Sequence, residues 1–145
     1  MLLRKWTLRS AVSLLIAAVV LVTASSVSAE SLKWSKDMKT AWKTAKEKEQ
    51  PLLLFVSSAN CAYCQRMKKQ TLQDESIVKQ VSEGFIAVKV DAKEDPELLK
   101  KLRVRLLPTT VILKPNGAVV ESIRGFQTAE QLRKRLLSTE RTAAK

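Results

Sequence analysis

The sequence contains no histidine and only two cysteines, Cys61 and Cys64. A zinc ion takes four protein ligands in a structural site, and one chain with this composition cannot supply them, which leaves only a site shared between chains. Two cysteines are also too few for a disulfide scaffold, so a hydrophobic core has to hold the fold. There is one tyrosine and no aromatic-rich basic strand, so the net charge of +12 lacks the stacking residues of a nucleic-acid binder. The longest apolar run, Ala11 to Val22, falls short of the roughly 20 residues that span a bilayer. Internal repeats and low-complexity linkers are absent.

What is present begins with a leader. Arg4, Lys5 and Arg9 precede the apolar run, and Val27-Ser28-Ala29 follows it as a small-residue cleavage site. This is the pattern of a secretory signal peptide over residues 1–29, with a mature domain over 30–145 and a periplasmic or secreted destination. Cleavage leaves no membrane anchor, and no cysteine stands near the cut to carry a lipid. All fourteen acids lie in the mature part, which keeps a charge of about +9. Its lysines and arginines are spread at solvent-facing helical spacing, the pattern of a solvated basic face.

Along the mature chain, Trp34, Met38, Ala41, Trp42 and Ala45 form a helical stripe within Lys33 to Glu49. Gln50-Pro51 ends it. Leu52 to Val56 is a continuous apolar run, expected for a strand buried on both faces. Ser57 to Asn60 is a loop with N-cap character, and Cys61 opens a helix to about Gln70. A short helix over Ser76 to Ser82 closes at Gly84. Phe85 to Val90 is a strand, and Asp95-Pro96 starts a helix to about Leu102. Thr109 to Leu113 and Ala118 to Ile123 are strands joined by the turn Pro115-Asn116-Gly117. Thr128 opens a last helix with Leu132, Leu136 and Leu137 inward, and Thr139 to Lys145 is expected to be a loose tail. Strands alternating with helices imply a parallel sheet, here with one terminal hairpin.

Asn60-Cys61-Ala62-Tyr63-Cys64 places two thiols on the first turn of a helix that follows a strand. The first thiol there faces the unpaired amides and the positive end of the helix dipole, which favours the nucleophilic thiolate. The second is close enough to attack a mixed disulfide. Arg66, Lys68 and Lys69 add positive charge in the following turns. A structural disulfide, a pair of inert buried thiols and an intermolecular zinc site are the other readings of the same residues. The first restrains little, since the closed loop is so short.

With this motif, Lys89-Val90-Asp91 at the end of a strand and Leu106-Leu107-Pro108-Thr109 before the hairpin, the chain from about Trp34 to Leu137 resembles the thioredoxin superfamily, and its exported members more than the cytosolic ones. The resemblance implies an α/β thioredoxin fold, with a central mixed sheet of about four strands and helices on both faces. It implies Cys61 as the attacking thiol and Cys64 as the buried resolving thiol. It also implies a cis Leu107–Pro108 bond that holds a substrate backbone beside the sulfurs. Two departures stand out. Asn60 replaces the tryptophan before the first cysteine. Phe55 and Ala87 take the positions of the buried acid and its lysine partner, so the proton acceptor behind the second cysteine is missing. On that reading Phe55→Asp should speed reduction of a protein disulfide, if the fold accepts it.

The expected function is an exported thiol–disulfide oxidoreductase, a reductase or isomerase without cofactor. Its partners would be protein thiols and disulfides and a dithiol protein that donates or accepts electrons. A monomer is expected, binding no nucleic acid. Two alternatives remain: a thioredoxin-fold binding or assembly module without turnover, and a chaperone carrying a soft metal on the two thiolates.

Overall fold

A computed structural model describes residues 31–143; the leader and its cleavage site lie outside them. Asp37 caps the first helix, α1 (Met38–Lys48), its carboxylate accepting from the Thr40 N–H at 2.7 Å. The cap fixes where the helix begins, and it excludes Trp34 from the stripe the sequence suggested. Trp34 instead lies in a two-residue strand, β1 (Trp34–Ser35), paired parallel with residues 87 and 88. Glu49, in the left-handed region at φ 53°, ends α1 before Pro51.

β2 (Leu52–Ser57) is buried along its whole length, as the apolar run requires. α2 (Ala62–Gln70) and α3 (Glu75–Gly84) follow it, then β3 (Ile86–Asp91), α4 (Pro96–Lys101), β4 (Thr109–Leu113), β5 (Val119–Arg124) and α5 (Ala129–Ala143). The sheet order is β1-β3-β2-β4-β5. It has five strands rather than four, the added one being β1. β1, β3 and β2 run parallel, and β4 and β5 are antiparallel to their neighbours.

Two cores lie on opposite faces of the sheet. On one, Leu53 and Phe55 of β2 and Ile112 of β4 meet Met67 of α2, Ile77, Val78 and Val81 of α3 and Leu132 and Leu136 of α5. On the other, Leu52, Leu54, Val56, Val111 and Leu113 meet Ala41 and Ala45 of α1, with Leu98 and Leu99 of α4 at the margin. The alternation of neighbouring residues between the two clusters is the period-2 geometry of a strand covered on both sides. The mixed α/β sheet with helices on both faces is the fold the sequence implied.

The turns follow their local chemistry. Asp95 caps α4 through the Leu98 N–H, with Pro96 next. Thr128 and Gln131 exchange hydrogen bonds as a capping box at the start of α5. Gly117, at φ +93°, makes the hairpin turn in the left-handed region that favours glycine, with the Trp42 ring 3.1 Å from where a Cβ would stand. Gly84 differs from expectation. It is the last residue of α3 with no left-handed φ, and a Cβ there would meet Glu140 Oε1 at 2.8 Å. That atom is the tip of a flexible side chain that can turn aside, so neither a left-handed cap nor rigid packing requires glycine here.

α5 also corrects the expected tail. It continues to Ala143, because Thr139 is buried and its hydroxyl donates to Glu121 of β5, while Gln80 reaches Glu140 at 3.3 Å. Leu137 is 43% exposed rather than inward; it lies one position, about 100° of helix, past the buried Leu136.

Asp74 caps α3 by accepting from both the hydroxyl and the N–H of Ser76. Those bonds, the hydroxyl's first, hold its carboxyl below the ordinary value of 3.8. A carboxylate with a lowered folded-state value stabilises the fold above its unfolded value and loses that effect as the pH falls through the folded one. Asp74→Ala is therefore expected to cost about 1 kcal/mol in urea unfolding at neutral pH. The gap should close in acid below the ordinary carboxylate value.

Candidate active site

The loop Ser58–Cys61 turns the chain from the end of β2 into α2, with the Cys61 N–H on the Ser58 carbonyl at 3.4 Å. Asn60 is an exposed turn residue. The helix cap is not in the preceding loop, as expected, but is Cys61 itself. Its backbone is extended, and its sulfur accepts the Cys64 N–H at 3.1 Å. A sulfur at this position answers one of the four unpaired N–H groups of a helix start and sits at the positive end of the dipole. No acidic residue stands in the first turn of α2 to offset that potential.

Cys61 and Cys64 are joined in a disulfide, their Cα atoms 5.2 Å apart. Their surroundings are unequal. Cys61 is half-buried, whereas Cys64 has no exposed surface and faces the sheet one turn above the buried Met67. Of the two cysteines, only Cys61 is therefore open to solvent. Lys68 and Lys69 fall in the last turn of α2, so their charge sits at the far end of the helix. Arg66 is the basic residue nearer the sulfurs, and its guanidinium lies 4.7 Å from the centre of the Phe126 ring.

The Leu107–Pro108 bond is cis. Pro108 is buried, Leu107 packs its side chain against the α1 face of the sheet, and Leu106 is 54% exposed. β4 begins at Thr109, opposite Val56 of β2. The Leu107–Pro108 corner thus stands at the same end of the sheet as the loop that delivers Cys61. Two bonds hold the corner: the Thr109 hydroxyl donates to the Leu106 carbonyl at 2.6 Å, and the Gly125 N–H to the Pro108 carbonyl at 2.8 Å.

One part of the rim was not legible in the sequence. Tyr63, 61% exposed, lies against Phe126 with ring centres 6.4 Å apart. Phe126 comes from the β5–α5 connection, and no local pattern ties it to the cysteine motif. The two positions where the resemblance places a buried acid and its lysine are apolar and buried: Phe55 and Ala87 belong to the core that includes Met67. Among the described residues, no group of three or more His, Cys, Asp or Glu side chains is placed to hold a metal ion.

A family model described as a thioredoxin-like domain matches residues 38–139. Human spermatogenesis-associated protein 20 is 35% identical over 60 residues, 41% of this chain and 8% of that protein. The thiol:disulfide interchange protein DsbD of Pectobacterium atrosepticum is 32% identical over 92 residues, 60% of this chain and 16% of that protein. This chain thus spans only a small part of the length of the curated relatives it matches. Among solved structures, a thioredoxin from Thermus thermophilus superposes with a TM-score of 0.72 at 26% identity, covering 79% of this chain and 91% of that one.

Proposed function

Since the chain belongs to the thioredoxin-like domain family, we propose that it is an exported thiol–disulfide oxidoreductase that reduces or rearranges disulfides in other proteins through Cys61 and Cys64. The observation that carries the reading is the asymmetry of the pair: a half-buried Cys61 sulfur at the helix N-cap and a fully buried Cys64 behind it. The interchange protein of Pectobacterium atrosepticum and the Thermus thioredoxin, both similar to this chain, support the class of reaction.

The exchange runs in two displacements. In the reduced protein the Cys61 thiolate attacks one sulfur of the partner's disulfide; the partner's S–S bond breaks, and its other sulfur leaves as a thiolate that takes a proton from water. Cys64 then gives its proton to water and attacks Cys61. The mixed disulfide breaks and the partner's second sulfur departs reduced, so two electrons have passed from the cysteine pair to the partner. A dithiol protein returns them. No cofactor takes part in either step. The Leu107–Pro108 corner receives an extended partner segment in this reading, which its position at the Cys61 end of the sheet supports. The basic, apolar leader supports export, to the periplasm or beyond.

The test is reduction of insulin with a dithiol as electron source. The wild-type chain is expected to accelerate it and Cys61→Ser to leave it at the background rate. A folded wild-type chain that leaves insulin at the background rate would instead favour a binding module without turnover, and a Cys61→Ser chain as fast as an accelerating wild type would take the reaction away from Cys61.

A further inference from the structure

We propose that Thr110 is the polar group behind Cys64, its hydroxyl donating a hydrogen bond to the Cys64 sulfur once the disulfide is reduced. The inference rests on the oxidoreductase reading above and concerns how the second thiol is handled without a buried acid.

Four observations converge on Thr110. It is 1% exposed, yet its Oγ1 has no hydrogen-bond partner among the described residues. A buried hydroxyl without a partner is unfavourable, and most such groups in native proteins are satisfied. Thr110 stands directly opposite Phe55 in the β2–β4 register, beside the position where the resemblance places the missing acid. It shares the parity of Ile112, which packs in the core with Phe55 and Met67, so its side chain is on the α2 face of the sheet. Finally, Cys64 is on the inward face of α2, one turn before Met67 and towards the end of the sheet where β4 begins.

In the oxidised state the Cys64 sulfur is held in its bond to Cys61. Reduction by a dithiol cuts that bond, adds two electrons and two protons to the pair, and frees the Cys64 sulfur to turn about χ1. It is then a thiol with acceptor lone pairs, or a thiolate with stronger ones, and Thr110 is an unpaired donor on the same face. The hydroxyl cannot act as the base, since it holds its proton far more tightly than a thiol. Instead it stabilises the anion that forms when Cys64 releases its proton to water. When Cys64 attacks Cys61 and the partner's sulfur leaves, the hydroxyl loses its acceptor again. Its effect falls on the reduced side of the equilibrium alone.

The test is the thiol–disulfide equilibrium of the full chain against reduced and oxidised glutathione, comparing wild type, Thr110→Val and Thr110→Ser. Thr110→Val keeps the shape and removes the hydroxyl. Its disulfide is expected to be about five- to tenfold harder to reduce, the size of one net hydrogen bond; a tenfold change corresponds to about 30 mV towards the reducing side. Its oxidised form should be at least as resistant to urea as the wild type, because it loses an unpaired polar group. Thr110→Ser should stay within about twofold of the wild-type equilibrium. An unchanged equilibrium in Thr110→Val, or an equal shift in both variants, overturns the proposal. So does a Thr110→Val chain that fails to fold oxidised, since the hydroxyl would then have a partner in that state. Insulin turnover by the wild type reports separately on the oxidoreductase reading, which can fail while the equilibrium shift stands.

Discussion

Cys64→Ser is expected to turn the protein into a trap. Cys61 keeps its place at the helix N-cap and its exposure, so the first displacement on a partner disulfide proceeds. The second has no nucleophile, because a serine hydroxyl is not ionised at neutral pH and is weak without an adjacent base. An external dithiol must then do what Cys64 does from within the same helical turn. Losing an intramolecular reaction partner of that kind should slow insulin turnover by about 100-fold or more. The adduct should accumulate to one partner per chain, visible as a mass increase that dithiothreitol reverses. Cys61→Ser lacks the entry point and should show neither adduct nor turnover. Adduct at Cys64 in Cys61→Ser, equal to that at Cys61 in Cys64→Ser, would remove the assignment of roles.

Phe55→Ala should be the most damaging substitution in the core. Phe55 is wholly buried at the centre of the sheet, its ring centre 6.3 Å from that of Trp34, and it joins β2 to Met67 and Ile112. Removing the ring leaves a cavity that flanking strands cannot close, at a cost of about 3–5 kcal/mol. A domain of this size has about 5–15 kcal/mol in all, so the urea midpoint should fall by about a fifth at the least, with the fold lost in the worst case. A drop under about 1 kcal/mol would mean that the core repacks, and the central place given to Phe55 would be wrong. Phe55→Asp adds a buried charge to the same cavity, at a further cost of several kcal/mol. Any gain in insulin reduction by that variant would have to appear in a protein that scarcely folds. Thr110 is the better handle on the chemistry of Cys64, because changing its hydroxyl leaves the packing intact.

Much of this arrangement was legible in the chain because its signals are local. The short apolar run before the motif fits a buried strand, Asp95-Pro96 fits a helix start, and Pro115-Asn116-Gly117 fits a hairpin turn. The cysteine pair was readable because two intervening residues put both sulfurs on one helical turn. What was misread depended on partners distant in sequence. Trp34 fits a helical stripe as well as a strand, and it is the pairing with Ala87 that decides. The end of α5 has few apolar residues, so nothing local signals that Thr139 is tied to Glu121. Gly84 has the look of a cap, and only its helical place at the end of α3, without a left-handed φ, shows otherwise. At the site, Phe126 and Thr110 arrive from β5–α5 and β4, and no spacing in the sequence joins them to Cys61 and Cys64.

The central claim is that the cysteine pair passes its two electrons to a disulfide in another protein, and a single-turnover experiment tests it most directly. The chain is reduced, freed of reductant and mixed with a stoichiometric amount of insulin, and both are followed by intact mass. The account predicts coupled changes: each chain loses two hydrogen atoms as the Cys61–Cys64 disulfide forms, and one insulin disulfide gains two, with a transient adduct at Cys61 between. If reduced chain and oxidised insulin remain unchanged together, or if Cys61→Ser carries out the same exchange, the claim is contradicted.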